Sequence, residues 1–125
     1  AFAAECRDRG VNVVAISSND VANYPQDDVP RMKALALDHG FAFPYLYDET
    51  QDVARAYDAA CTPDFSVFDA DRKCVYRGQF DGSRPGNGVT VTGEDLRRVV
   101  DRLVQGESVP AEGQRPSIGC NIKWR

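Results

Sequence analysis

Cys61-Thr62-Pro63 is the segment of this chain whose residue types are best suited to chemistry. An X-Pro bond is the one peptide bond that readily becomes cis, and a proline just ahead of a buried strand can hold a bent backbone against a neighbouring site. The run Asp64-Phe65-Ser66-Val67-Phe68-Asp69 that follows reads as such a strand. A cysteine two residues before the proline makes the bend capable of redox chemistry, because a thiolate is a nucleophile and can form a disulfide. The other reading of the tripeptide is a proline that merely starts a strand beside a buried, inert cysteine.

The remaining cysteines are Cys6, Cys74 and Cys120. Four cysteines permit three pairings, and these spacings fit neither a zinc site nor a CxxC pair, so no metal is expected. Cys6 falls near the C-terminal end of a helix, where the dipole opposes a thiolate, and reads as a packing or surface residue. Cys74 lies in a strand beside Val75 and reads as structural. His39 is the only histidine and also sits near a helix end, which rules out a His-assisted triad. Asp69 and Asp71 flank a turn and read as turn formers. The loop Gly82–Gly88 matches no phosphate-binding motif.

These residues must be positioned by a chain of 125 residues, one domain's worth of sequence. A net charge of −4 argues against a nucleic-acid surface, which needs clustered Lys and Arg in excess. The longest apolar runs, such as Val13–Ile16, are far too short to cross a bilayer.

Along the chain, Ala1–Arg9 reads as the last turns of a helix stopped by Gly10. Val11–Ile16 is nearly continuous in its hydrophobicity, as expected of a strand covered on both faces. Asp28 is placed to cap a helix with Pro30 in its first turn and Met32, Leu35, Ala36 and His39 on one face, up to Gly40. Pro44–Tyr47 is a short strand. Thr50 is expected to cap a helix carrying Val53, Ala54 and Tyr57. Residues 64–69 and 74–80 flank Ala70–Lys73 as a hairpin. Thr92 is expected to cap the clearest amphipathic helix, with Leu96, Val99, Val100, Leu103 and Val104 repeating at helical spacing up to Gly106. Residues 107–125 read as a polar, irregular tail with Ile118, Cys120, Ile122 and Trp124 as anchors. The order α-β-α-β-α-β-β-α predicts an α/β three-layer sandwich.

Four segments in this order resemble the redoxin, peroxiredoxin-like branch of the thioredoxin-fold superfamily: Val13–Asp20, Phe43–Asp48, Val53–Tyr57, and Cys61–Phe65 leading into the hairpin. The likeness runs up to Leu103. With the tail Arg115–Trp124 it resembles one bacterial peroxiredoxin-like subgroup of thioredoxin-family proteins. The resemblance implies a thioredoxin-like three-layer sandwich, with residues 1–106 as a partial redoxin domain, truncated at its N-terminus, and 107–125 as its tail. It puts the reactive cysteine after the first core strand, at the start of a helix whose unpaired N–H groups stabilise a thiolate. That region would precede Ala1, so residues 1–125 alone are expected to be inert.

The resemblance makes Thr62-Pro63 the superfamily's cis-proline loop, which lies against the nucleophile and offers backbone groups to an extended thiol or disulfide substrate. Cys61 then has a candidate role in resolving a sulfenic acid or closing a disulfide, with packing against the site's apolar wall as the other reading. Cys120 is a weaker candidate that either swings toward the site or anchors the tail. Peroxiredoxins place an activating Arg where this chain has Thr62 and Pro63, which favours thiol–disulfide chemistry over hydroperoxide reduction. The expected function is a thiol–disulfide oxidoreductase or thiol peroxidase needing no cofactor. Its expected partners are a thiol, disulfide or hydroperoxide substrate and a dithiol donor such as a thioredoxin-like protein. The rival is a non-catalytic thioredoxin-fold module that binds an extended segment. A soluble protein of the bacterial cytoplasm is the setting the resemblance implies.

Overall fold

The computed structural model describes residues 2–125. Its contacts divide into two units, one made of the residues up to Ala60 with Asn121–Arg125, the other of Cys61–Cys120.

In the first unit, α1 (Phe2–Asp8) buries Cys6, whose carbonyl accepts from Arg9 and Val11 as the chain leaves the helix. Of the helix expected over Ala1–Arg9, Ala1 lies outside the described residues. β1 (Ala15–Ser17) pairs in parallel with β2 (Tyr45–Tyr47), Ile16 facing Leu46. The ladder is shorter than the strand expected over Val11–Ile16, and that strand is not covered on both faces: Val14, Ile16 and Leu46 remain 52%, 41% and 49% exposed. The sequence has the composition of a doubly covered strand, while a two-stranded ladder with its flanking helices buries only part of it.

α2 (Val29–Asp38) starts as its sequence predicts. Asp28 accepts from the Arg31 backbone N–H at 3.0 Å, and Pro30 occupies the first turn, where no N–H is needed. Its buried face is narrower than expected, since Met32 is buried but Leu35 and His39 are exposed. α3 (Asp52–Ala56) corrects the expectation of a Thr50 cap. Thr50 Oγ1 reaches only the Asp52 N–H, at 3.3 Å, whereas the Asp48 carboxylate accepts from Val53 and Ala54 at 3.3 and 2.9 Å and from the Ser18 hydroxyl at 2.8 Å. Burial alone would push the Asp48 carboxyl up, but these donors outweigh it and hold the pKa below the usual carboxylate range.

Gln51 sits at φ +66° just before α3 and is 1% exposed. Its amide donates to Ser18 O at 2.7 Å and Lys123 O at 2.9 Å and accepts from Arg125 N–H at 3.1 Å. Asn19 Oδ1 takes the Lys123 N–H at 2.9 Å, and Asp20 N–H donates to Lys123 O at 2.7 Å. The last residues of the chain are therefore fastened by a buried polar clamp rather than by the expected set of apolar anchors. Ile122 is buried, but Trp124 is exposed, with the Arg55 guanidinium 5.2 Å from its ring.

In the second unit, β3 (Cys61–Thr62) precedes an antiparallel hairpin of β4 (Phe65–Phe68) and β5 (Cys74–Gly78), with Phe65 opposite Gly78 and a bulge between Val67 and Phe68. The hairpin turn bears out the reading of Asp69, whose carboxylate accepts from the Asp71 and Lys73 N–H groups at 2.9 Å each. α4 (Glu94–Val104) buries Leu96, Val99 and Val100 of the expected face, but Leu103 is only half-buried and Val104 is exposed where the helix runs out. It begins one residue later than expected, with Gly93 at φ +70° in the cap position and Thr92 Oγ1 reaching only Glu94 N–H at 3.2 Å. A side chain at Gly93 would run into the Phe80 ring, which stacks on Phe65 at 5.5 Å. β6 (Cys120–Asn121) closes the order, which is the predicted one with β3, β6 and a short 3-10 turn at Pro25–Asp27 added. This is a mixed helix and strand fold with small sheets. Among the described residues no helix is long and apolar enough to cross a membrane.

Candidate functional site

The Thr62–Pro63 peptide bond is cis. Cys61, just before it, is half-buried, and its Sγ lies 3.4 Å from Ser117 O and 3.8 Å from Pro63 O. A thiol can donate to these carbonyls and a thiolate cannot, so the surroundings favour the protonated form. Burial pushes the Cys61 thiol up, and Asp64 adds to this, while Arg77 and Arg84 act in the opposite direction without reversing it. Asp64 and Arg77 form an ion pair at 3.7 Å.

Ser117 belongs to a stretch of tail that runs along the hairpin. Its hydroxyl donates to Gly78 O at 2.6 Å, Arg115 O accepts from Gln79 N–H at 2.9 Å, and the Gln114 side chain accepts from Arg77 N–H at 3.2 Å while donating to Val75 O at 2.9 Å. The approach is close enough to require two glycines. A Cβ on Gly78 would meet Arg115 O, and one on Gly119 would meet Thr62 O. Thr62 Oγ1 lies 3.4 Å from Cys120 O. The Cys61-Thr62-Pro63 bend is thus lined by Ser117, Gly119 and Cys120.

A second polar group braces the chain just past the end of β5. Gln79 is buried, its amide donating to Asp95 at 2.6 Å and accepting from Arg84 Nη2 at 2.5 Å. Arg84 Nη1 also donates to Asp81 O and Ser83 O at 2.9 and 2.8 Å. The buried Asp81 carboxylate accepts from Ser83, Thr92 and Gly93 N–H groups at 2.9, 2.8 and 2.7 Å. The bond from Gly93 N–H is the main reason its pKa lies below the usual range. Burial works against that, and Ser83, Thr92 and the Arg84 charge add to it. The Gly/Pro-rich loop after β5 is therefore tied at both ends.

Of the residues expected to act, Cys61, Thr62, Pro63 and Cys120 come together, Cys120 with its side chain exposed. Cys6 is buried in α1, consistent with packing, but Cys74 is exposed and is not a core residue. These cysteines are in no disulfide. His39 is exposed at the end of α2, its ring tilted 33° to that of Phe41 with centroids 6.3 Å apart. No group of three or more His, Cys, Asp or Glu among the described residues could hold a metal. Sequence reasoning missed Ser117, Gln79, Asp81 and Arg84. The only hint was a single arginine within a Gly/Pro-rich loop preceded by Gln79 and Asp81, which has no motif to name it.

Compared with known proteins, the chain matches the AhpC/TSA family over residues 1–77. No curated protein matches it. An uncharacterized conserved protein from Geobacillus kaustophilus is similar in structure, with 59% identity, a TM-score of 0.96 and 99% of this chain covered. A hypothetical protein from Sinorhizobium meliloti is similar too, with 52% identity, a TM-score of 0.96 and 99% of this chain covered. The chain spans 65% of the length of the first and 67% of the second.

Proposed function

Because the chain belongs to the AhpC/TSA family, whose fold is thioredoxin-like, we propose that it works in a thiol–disulfide oxidoreductase or thiol peroxidase with Cys61 as the second redox cysteine. The observation that carries this is a half-buried Cys61 thiol held by the Ser117 carbonyl and kept protonated by its surroundings. A nucleophile needs a low pKa, whereas a resolving cysteine attacks only after the first sulfur is oxidised. In this reading residues 1–106 are a redoxin domain lacking its first core strand, residues 107–125 are its tail, and the attacking thiolate is supplied by a segment preceding residue 1.

With a disulfide substrate, that thiolate displaces one substrate sulfur and forms a mixed disulfide. Cys61 then loses its proton to water, attacks the first sulfur and releases the second substrate thiol. With a hydroperoxide, the thiolate breaks the O–O bond, becoming a sulfenic acid as the peroxide is reduced to an alcohol. Cys61 displaces hydroxide from that sulfur, and water leaves. Both routes end in a disulfide that an external dithiol, such as a thioredoxin-like donor, reduces by two exchanges. The tail favours the disulfide route, since Ser117–Cys120 already lies against the bend as an extended segment would.

Turnover of a protein disulfide and of a hydroperoxide with a dithiol donor tests the proposal. Residues 1–125 should be nearly inert. A longer polypeptide carrying the preceding segment should turn over, and Cys61→Ser should abolish its multiple turnover. Robust turnover by residues 1–125 that Cys61→Ser removes would make Cys61 the nucleophile instead. A long polypeptide without turnover would favour a non-catalytic binding module.

A further inference from the structure

Within the second unit, α4, β5 and the tail enclose a cleft of about 110 Å³ that shares no residue with the Cys61 bend. Tyr76 of β5 and Val99 of α4, both buried, give it an apolar wall, and the tail between Val109 and Arg115 lines it from the other element. The hydrogen bonds fix these walls in place. The Gln114 amide donates to Val75 O and Pro110 O at 2.9 Å each and accepts from Arg77 N–H at 3.2 Å. Arg102 Nη1 donates to Ser108 O at 3.1 Å, and the Tyr76 hydroxyl is committed to Gln79 O, which leaves its ring to the cleft. Three arginines also line the cleft: Arg98 and Arg102, one helical turn apart on α4, and Arg115 on the tail. Arg98 gives one nitrogen to Asp95 at 3.3 Å, and the Arg102 nitrogen on Ser108 O lies 3.9 Å from Glu107. Their other nitrogens and the whole Arg115 guanidinium have no partner among the described residues.

We propose that this cleft is a binding site for a small organic carboxylate, whose apolar body packs on Tyr76 and Val99 while its two oxygens take N–H groups from the arginines. A guanidinium presents paired donors that match the two oxygens of a carboxylate. The apolar wall rewards carbon, so an organic anion gains more here than inorganic phosphate, which is polar all round. Two carboxylates share the cleft with the three arginines, Asp95 and Glu112. Asp95 is already committed to the Gln79 amide at 2.6 Å and to Arg98. Glu112 is exposed and has no partner among the described residues, so its charge opposes the ligand without cancelling three cations. The volume sets the size of the ligand: sites for drug-sized molecules and cofactors begin at roughly 300 Å³, so the cleft takes a single ring or a short chain and not a nucleotide.

The test is a titration of the whole chain with benzoate at neutral pH, followed by the backbone amide signals in nitrogen-15 NMR, with benzamide as the neutral isostere and inorganic phosphate as the anion without an apolar body. Benzoate should give saturable shifts at Arg98, Arg102, Gly113 and Arg115 with a Kd of about 1–10 mM, as a ligand of so few atoms allows. Benzamide and phosphate should bind at least about tenfold more weakly. Arg98→Gln and Arg102→Gln should each raise the benzoate Kd about three- to tenfold, and Glu112→Gln should lower it about twofold or more. Benzamide binding as tightly as benzoate would overturn the proposal, because the arginines would then be idle. So would phosphate binding as tightly, which would reduce the cleft to a diffuse positive surface, and so would benzoate shifts confined to other parts of the chain. If Arg102→Gln loosens the tail by freeing Ser108, Arg98→Gln and Glu112→Gln still decide, since a benzoate Kd that moves in neither overturns the assignment.

Discussion

Asp81 carries its charge where water cannot solvate it, and three backbone N–H groups take the place of the solvent. Its pKa is lower in the folded chain than in the unfolded one, so the unfolded state takes up a proton first as the pH falls. The stability this group contributes is fully present above about pH 4 and is lost as the pH drops through the folded-state value below that. Replacing Asp81 by Asn puts an amide donor among N–H donors and should cost about 1–3 kcal/mol at neutral pH. In urea unfolding, the gap between wild type and Asp81→Asn should narrow below about pH 4. A gap independent of pH would mean that the carboxylate's charge is not what holds the loop.

The caps show which elements could be read locally. Asp28-Val29-Pro30 starts α2 with its signal adjacent to the helix, and that start is observed. The first turn of α3 is held instead by Asp48, and the segment leading into α4 by Asp81, 11 and 12 residues before the N–H groups it binds, beyond the reach of a local pattern. The tail is held at its closest point by Gly119 against Thr62. Gly119→Ala forces a Cβ onto a backbone carbonyl and should destabilise by about 1–3 kcal/mol. It should also speed Cys61 alkylation by displacing the Ser117 carbonyl. Gly82→Ala, whose Cβ meets nothing within 4 Å, is the control and should stay within about 0.5 kcal/mol. Equal losses at both positions would show that the close approach is not what matters.

On the scale of the molecule, the open apolar residues of the first unit bear on the proposed missing strand. Val14, Ile16 and Leu46 sit on or beside a two-stranded parallel ladder, a pairing that normally has both faces covered. If a preceding segment completes the redoxin domain, a polypeptide that includes it should bind less of an apolar dye such as anilinonaphthalene sulfonate. It should also melt several degrees higher than residues 1–125, because added buried apolar area raises stability. Equal dye binding and equal melting temperatures would remove the support for a strand supplied from outside these residues.

Most of the element order, the family and the bend at Cys61-Thr62-Pro63 were readable from residues close together in the chain. Helical spacing, β-branched runs and a turn carry their meaning within a few residues, and a family likeness is the ordered sum of such segments. The tertiary structure alone decided that Ser117, 56 residues away, faces the Cys61 thiol, and that Gln51 clamps Lys123 across 72 residues. It also decided that Arg84 is caged by Gln79. A polar side chain in a sequence has many possible partners of the same chemistry, and only folding, by removing water from some of them, selects which pairs must form.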